Sequence, residues 1–159
     1  MPVFEVALSA ELNHLTALRP QEPETEYEWA FQLECSQCRE ATEEVSFTTA
    51  HEEALPGSRG TAHFVMKCPF CANQFSASLV KNSVKAVDDT DRMTPIARFE
   101  WRGATPTAFV PRDRWVAQST ASATTFDAIP LSEKEFFEYD EEGGTDVSVS
   151  ELRTEVTKV

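Results

Sequence analysis

The chain has 159 residues, with 27 acidic against 14 basic side chains and a net charge of -13. That length makes one domain, or two small halves sharing a core, and 41% apolar residues supply enough material to build it, so a large multidomain enzyme is excluded. The acid excess runs through both halves, with 12 acids and 4 bases in residues 1–80 and 15 and 10 in residues 81–159; such a surface repels phosphate backbones and anionic lipid and disfavours nucleic-acid and membrane partners.

In chain order, Phe4, Val6, Leu8, Ala10 and Leu12 alternate with more polar neighbours, which predicts a strand with one wet face. Tyr27, Trp29, Phe31 and Leu33 predict a second of the same kind. Shorter alternating strands are expected over residues 45–49, 62–66, 75–79 and 97–101, and again at Val147 and Val149. Turn residues cluster at 55–60 and 102–106. A short helical turn is predicted where Ser132 and Glu135 form a capping box, with Leu131 and Phe136 as its hydrophobic staple and Gly143-Gly144 as its end. The run 133–142 holds six acids and one lysine and reads as a solvated face in preference to an acidic docking motif. Thr16-Ala17-Leu18-Arg19-Pro20 is echoed by Thr107-Ala108-Phe109-Val110-Pro111 at an offset of 91 residues, each copy following an alternating strand. The expected fold is therefore all-β: two similar β-sandwich or barrel-like halves from an internal duplication, 1–90 with the cysteines and 91–159 without metal, packed as one compact unit.

No apolar run approaches the roughly 18 to 20 residues of a membrane span, and Met-Pro-Val-Phe-Glu lacks a secretory signal pattern. The expected address is cytoplasmic, extending to the nucleus, where thiols stay reduced and four cysteines point to metal or redox chemistry before disulfides. Cys35-Ser36-Gln37-Cys38 and Cys68-Pro69-Phe70-Cys71 each close an alternating strand, with 29 residues between them. A Cys-x-x-Cys turn aims two sulfurs at one centre and backbone N–H groups at the sulfurs, so two such turns supply four ligands for one tetrahedral Zn2+. Arg39 and Lys67 beside the motifs either offset thiolate charge or are ordinary solvated surface. The competing reading is redox: Cys68-Pro69-Phe70-Cys71 resembles a glutaredoxin-type site, for which residues 72–81 would be drawn as a helix, although Phe75-Ser76-Ala77-Ser78-Leu79 alternates as a strand does. Inert or regulatory thiols are the third reading.

The remaining candidates have bland explanations. His63 lies on the strand face opposite Phe64 and Met66, away from Cys68, and His51 sits in a charged loop. Gly57-Ser58-Arg59-Gly60-Thr61 reads as a hairpin turn before an anion cradle, since it lacks a P-loop lysine. Trp29, Trp101 and Trp115 read as core, one of them a candidate for a binding face. No catalytic constellation is present.

Several separate pieces share one order and spacing. They are Leu18-Arg19-Pro20, Trp29, the two Cys-x-x-Cys turns with Lys67 before the second, Leu55 with Gly57-Ser58-Arg59-Gly60-Thr61-Ala62, Arg102-Gly103, Pro106, Phe109, Pro111 and the acidic-aromatic run from Glu133 to Glu141. Together they resemble the eukaryotic CXXC-motif-containing zinc-binding proteins along the full chain. The resemblance implies an all-β fold of two similar halves, with zinc held by Cys35, Cys38, Cys68 and Cys71, in a soluble intracellular group without an assigned enzymatic activity. The sequence departs from that family at Trp101, where a cysteine is common, and at Phe136-Phe137, where a tryptophan is common.

The leading expectation is one structural Zn2+ per chain in a non-catalytic binding or adaptor module with a protein partner, as monomer or homodimer. The alternatives are an exchangeable site in zinc or copper handling, because soft thiolates also suit Cu(I), and a dithiol oxidoreductase using Cys68 and Cys71.

Overall fold

Apolar side chains at every second position lay down strands along most of the chain. The computed structural model describes residues 2–88 and 92–159, so the expected boundary between halves at residues 90 and 91 lies outside the described residues. Within them the first half contributes β1 (Val3–Asn13), β2 (Leu15–Pro20), β3 (Trp29–Cys35), β4 (Val45–Phe47), β5 (Glu53–Ala54), β6 (Thr61–Ala62), β7 (Phe64–Lys67) and β8 (Gln74–Leu79). The second contributes β9 (Thr94–Arg102), β10 (Ala104–Val110), β11 (Trp115–Ser119), β12 (Thr125–Ile129), β13 (Phe136–Asp140) and β14 (Thr145–Lys158). The protein is all-β; the one helical element among the described residues is a 3-10 turn at Leu131–Glu133.

A six-stranded antiparallel sheet runs β13-β14-β1-β9-β8-β7, and two three-stranded sheets run β10-β3-β4 and β12-β11-β2. Exchanging β1 with β9, β2 with β10, β3 with β11, β4 with β12, β7 with β13 and β8 with β14 maps this order onto itself. The two similar pentapeptides start within β2 and β10. This is a relation of strand order, and the expected internal duplication is not confirmed by it.

The wet face expected of β1 is not wet in its middle. Val6, Ala7, Leu8, Ser9 and Ala10 are all buried, with small side chains on the second face where the core leaves little room. The core itself is built on rings. Trp29 meets Tyr27 edge-on at 4.9 Å and Phe99 at 5.0 Å, Phe31 meets Phe99 at 5.2 Å and Trp101 at 5.3 Å, and Phe47 stacks on Phe64 at 4.9 Å. Tyr27 also meets Trp115 at 5.5 Å, so the chain of rings joins strands from both ends of the sequence. At about 150–250 Å² per ring and roughly 25 cal/mol per Å², each buried ring contributes up to about 4–6 kcal/mol, which makes this ladder the main apolar term. All three tryptophans are buried, which settles them as core.

The capping-box helix does not form. Pro130 stands at the N-cap position of the 3-10 turn without a side-chain cap, and both the hydroxyl and the backbone N–H of Ser132 donate to the Asp113 carboxylate. A tertiary acceptor thus captures the residue that would have capped a helix. The residues after Glu135 pair with β14 as β13, and Gly143-Gly144 belongs to the hairpin between them, with Gly144 at φ +66° donating to the Asp140 carbonyl at 2.8 Å.

Asp140 is the buried carboxylate of this hairpin. It accepts from the Ser119 and Ser122 hydroxyls, the latter at 2.7 Å, and from the Gly143 N–H at 3.0 Å. The Ser119 hydroxyl, followed by the Gly143 N–H and Ser122, holds this group down to about 2. A carboxyl lowered in the folded state stabilises above its unfolded value near 4, and that contribution disappears as pH falls toward 2. Asp140→Asn should therefore lower the urea midpoint at pH 7, with the gap from wild type closing between pH 4 and pH 2. Acid loss of a thiolate-bound ion moves both proteins alike, so the difference between their midpoints isolates Asp140.

Candidate metal centre

Two turns of the same construction carry the cysteines. Cys35 is the last residue of β3 and pairs with Ala104 of β10, while Cys68 follows directly on β7. In the first turn the Cys35 N–H donates to the Glu40 carbonyl and the Cys35 carbonyl accepts from Arg39, both at 3.0 Å. In the second, Cys68 donates to the Asn73 carbonyl at 2.7 Å and accepts from Ala72 at 2.9 Å. Arg39 and Ala72 occupy matching left-handed positions at φ 65° and φ 64°. These backbones turn N–H groups toward sulfur: Gln37 and Cys38 donate to Cys35 Sγ at 3.4 and 3.5 Å, and Phe70 donates to Cys68 Sγ at 3.4 Å.

The four sulfurs lie within 4.8 Å of one another and form a cluster able to hold a metal ion. Two approaches run between the motifs, at 3.6 Å for Cys35–Cys71 and 3.7 Å for Cys38–Cys68. A tetrahedral zinc with Zn–S near 2.3 Å has sulfur–sulfur edges of about 3.8 Å, close to these two cross-motif approaches. Cys35 and Cys68 are buried, Cys38 is half-buried and Cys71 is exposed.

Electrostatics point the same way. Burial opposes ionisation of Cys35, yet the N–H groups of Cys38 and Gln37 and the adjacent sulfurs outweigh it and bring the thiol down to about 6. The Glu40 backbone pulls Cys38 down, but burial and the three neighbouring sulfurs push it up to about 12. At Cys71 the Asn73 backbone likewise lowers the thiol, and burial with the Cys35 and Cys68 sulfurs raises it on balance. Ionising all four sulfurs in so small a volume takes a cation between them.

Two further residues tie the turns together. The Gly103 carbonyl, between β9 and β10, accepts from Ser36 of the first turn and from Asn73 Nδ2 just after the second, both at 3.0 Å; Asn73 Nδ2 also lies 3.8 Å from Cys35 Sγ. The sequence places Gly103 in a turn and among the residues of the family resemblance, with no role at the metal centre, and does not single out Asn73. The signal for both is weak, a glycine after a long strand and an amide two residues past a Cys-x-x-Cys pair.

The other candidates fall outside the cluster. Among the described residues the metal-holding group contains no histidine. His63 Nδ1 accepts the Leu79 N–H at 3.0 Å, and His51 is exposed. The Arg39 guanidinium faces Glu34 at 3.7 Å, which is the ordinary surface reading. Residues 55–60 close the β5–β6 hairpin, with the N–H groups of Leu55, Ser58 and Gly60 bonded within the turn. Residues 74–79 form strand β8, where the redox reading draws a helix.

The sequence matches the family described as CXXC motif containing zinc binding protein, eukaryotic, over residues 5–157. The chain belongs to this zinc-binding family. A UPF0587 protein of Caenorhabditis elegans is 32% identical over 162 residues, covering 100% of this chain and 96% of that protein. The CXXC motif containing zinc binding protein of Mus musculus is 32% identical over 161 residues, covering 99% of each chain. The crystal structure of C1orf123 superposes with a TM-score of 0.90 at 29% identity over 99% of both chains.

Gly103 has no room for a side chain. Its φ is +80°, and a Cβ would sit 2.0 Å from the Gln74 carbonyl oxygen. Gly103→Ala should lower unfolding stability by roughly 2 kcal/mol or more, from left-handed strain plus the backbone clash, and loosen metal retention with it. Urea unfolding of the metal-loaded protein and the rate of ion loss to a chelator check both effects.

Proposed function

We propose that Cys35, Cys38, Cys68 and Cys71 hold one Zn2+ per chain as a closed structural site, and that the chain is a cytoplasmic and nuclear binding module for a protein partner, without catalytic activity. The observation that carries this reading is the pair of cross-motif sulfur contacts at 3.6 and 3.7 Å, near the edge of a zinc–thiolate tetrahedron. Four thiolates fill the coordination of zinc and leave no position for a reacting water, so the ion serves to join the two turns. A structural zinc binds with an apparent 10 to 16 kcal/mol or so at neutral pH, as large as the stability of a whole domain.

One observation favours a second reading, an exchangeable ion in zinc or copper handling: Cys71 is the exposed member of the four cysteines. The dithiol oxidoreductase has less support, because a low-pKa nucleophile at Cys68 wants a helix N-terminus and strand β8 follows instead.

Elemental analysis of untagged protein, paired with thiol counts before and after denaturation in chelator, tests the reading. The expected result is one zinc per chain with four thiols masked until denaturation, and metal loss with unfolding in Cys35→Ser and Cys68→Ser. Zinc leaving to a chelator within seconds, with the circular dichroism unchanged, selects exchange. Metal-free protein with a readily formed disulfide overturns the site altogether.

A further inference from the structure

At the edge of the six-stranded sheet opposite β7, strand β13 is paired, among the described residues, on one side only, with β14. The Tyr139 N–H donates to the carboxylate of its own neighbour Glu138 at 3.1 Å. Alternate residues of an antiparallel strand turn their backbone groups the same way, so Phe137 presents its N–H and C=O to the same open side. The side chains of these two residues are exposed apolar rings: Phe137 is 67% and Tyr139 51% accessible, two positions apart on one face.

The surroundings are acidic. Glu135, Glu138, Glu141, Glu142 and Asp146 are all exposed around the strand, against Lys134. Asp140 is buried and bonded within the hairpin, so the exposed field belongs to the other carboxylates. A second copy of this chain, itself at -13, would bring an equally acidic edge to the same place and be repelled.

We propose that β13 is the docking edge for an extended, Lys/Arg-rich segment of a partner protein. The segment pairs its main chain with Phe137 and, taking the place of the Glu138 carboxylate, with Tyr139, lays cationic side chains over the two rings and meets the surrounding carboxylates with its other charged ends. This rests on the reading of the chain as a binding module and names the chemistry of the partner.

The test uses the zinc-loaded full chain, with its metal content counted beforehand. The probe is a fluorescein-labelled amide of alternating lysine or arginine and valine, seven residues long, followed by anisotropy and by backbone amide shifts. Saturable binding is expected, with the largest shifts at Phe137 to Tyr139 and affinity at least about tenfold weaker for the double variant Phe137→Ser, Tyr139→Ser, whose sites are exposed enough to leave the fold intact. Alternate N-methylation of the peptide should weaken binding comparably, and a glutamate–valine peptide should not bind. Absence of binding up to about 1 mM, shifts elsewhere, or affinity indifferent to both the ring substitutions and N-methylation overturns the proposal, as does a dimer of the chain formed through β13. A chain that counts one zinc yet fails to bind refutes the docking edge and leaves the metal reading standing.

Discussion

Four sulfurs from two different sheets share one small volume, and much of the first half is arranged around that requirement. Cys35 terminates β3 in a three-stranded sheet, and Cys68 follows β7 at the edge of the six-stranded sheet. The turns that carry them hold Arg39 and Ala72 in left-handed backbone positions, which cost roughly 1–2 kcal/mol each for residues with a Cβ. That strain has a clear return only if the N–H groups it aims at sulfur have negative charge to meet. Sulfurs at 3.6 to 3.7 Å repel one another once ionised, so the cation that suits them also suits the turns. The Gly103 carbonyl extends the same logic to β9 and β10, because a single acceptor bonds the first turn and the amide that follows the second.

Away from the cysteines, cohesion passes to rings and to one carboxylate. The ladder from Trp115 through Tyr27, Trp29 and Phe99 to Phe31 and Trp101 couples strands far apart in sequence. Trp101 serves as a core ring against Phe31, Phe47 and Phe64, with its indole nitrogen unpaired among the described residues. An unpaired buried N–H costs about 1–3 kcal/mol, less than the burial of an indole ring returns. Asp140 does at the β13–β14 hairpin what the metal turns do at the opposite edge: it gathers separate donors, from Ser119, Ser122 and Gly143, on one negative group.

Strands with clean alternation were legible: β1, β3, β8 and β9 each place large apolar residues two apart, and the Cys-x-x-Cys pairs foretold the cluster because their spacing encodes its geometry. The strands that escaped share local irregularities. β10 carries Pro106 and shifts register before Ala108, as an edge strand tolerates and a periodicity count does not. β2 contains Ala17 at φ 55°, and β11 buries Trp115, Val116 and Ala117 in succession, which removes the alternation. β13 was misread because Ser132 and Glu135 form a genuine capping pattern, and only the fold supplies Asp113 as the competing acceptor. Gly103 and Asn73 were invisible as site residues for the same reason: their roles depend on what lies across space from them.

The two edges of the large sheet are protected in different ways. β7 leads straight into the cysteine turn, which follows it directly at Cys68, and its Phe64 is stacked on Phe47 of β4. β13 has no such cover; the Glu138 carboxylate meets the N–H of Tyr139, and a field of acids surrounds the strand. Covering an edge closes it to every strand, whereas guarding it with charge closes it only to strands of like charge. On the docking reading, a chain at -13 that guards an edge in this way repels its own copies while the main-chain groups at that edge stay within reach of a cation-bearing strand. On that reading the acid excess, which at first sight only excludes classes of partner, acts at β13 as a selector.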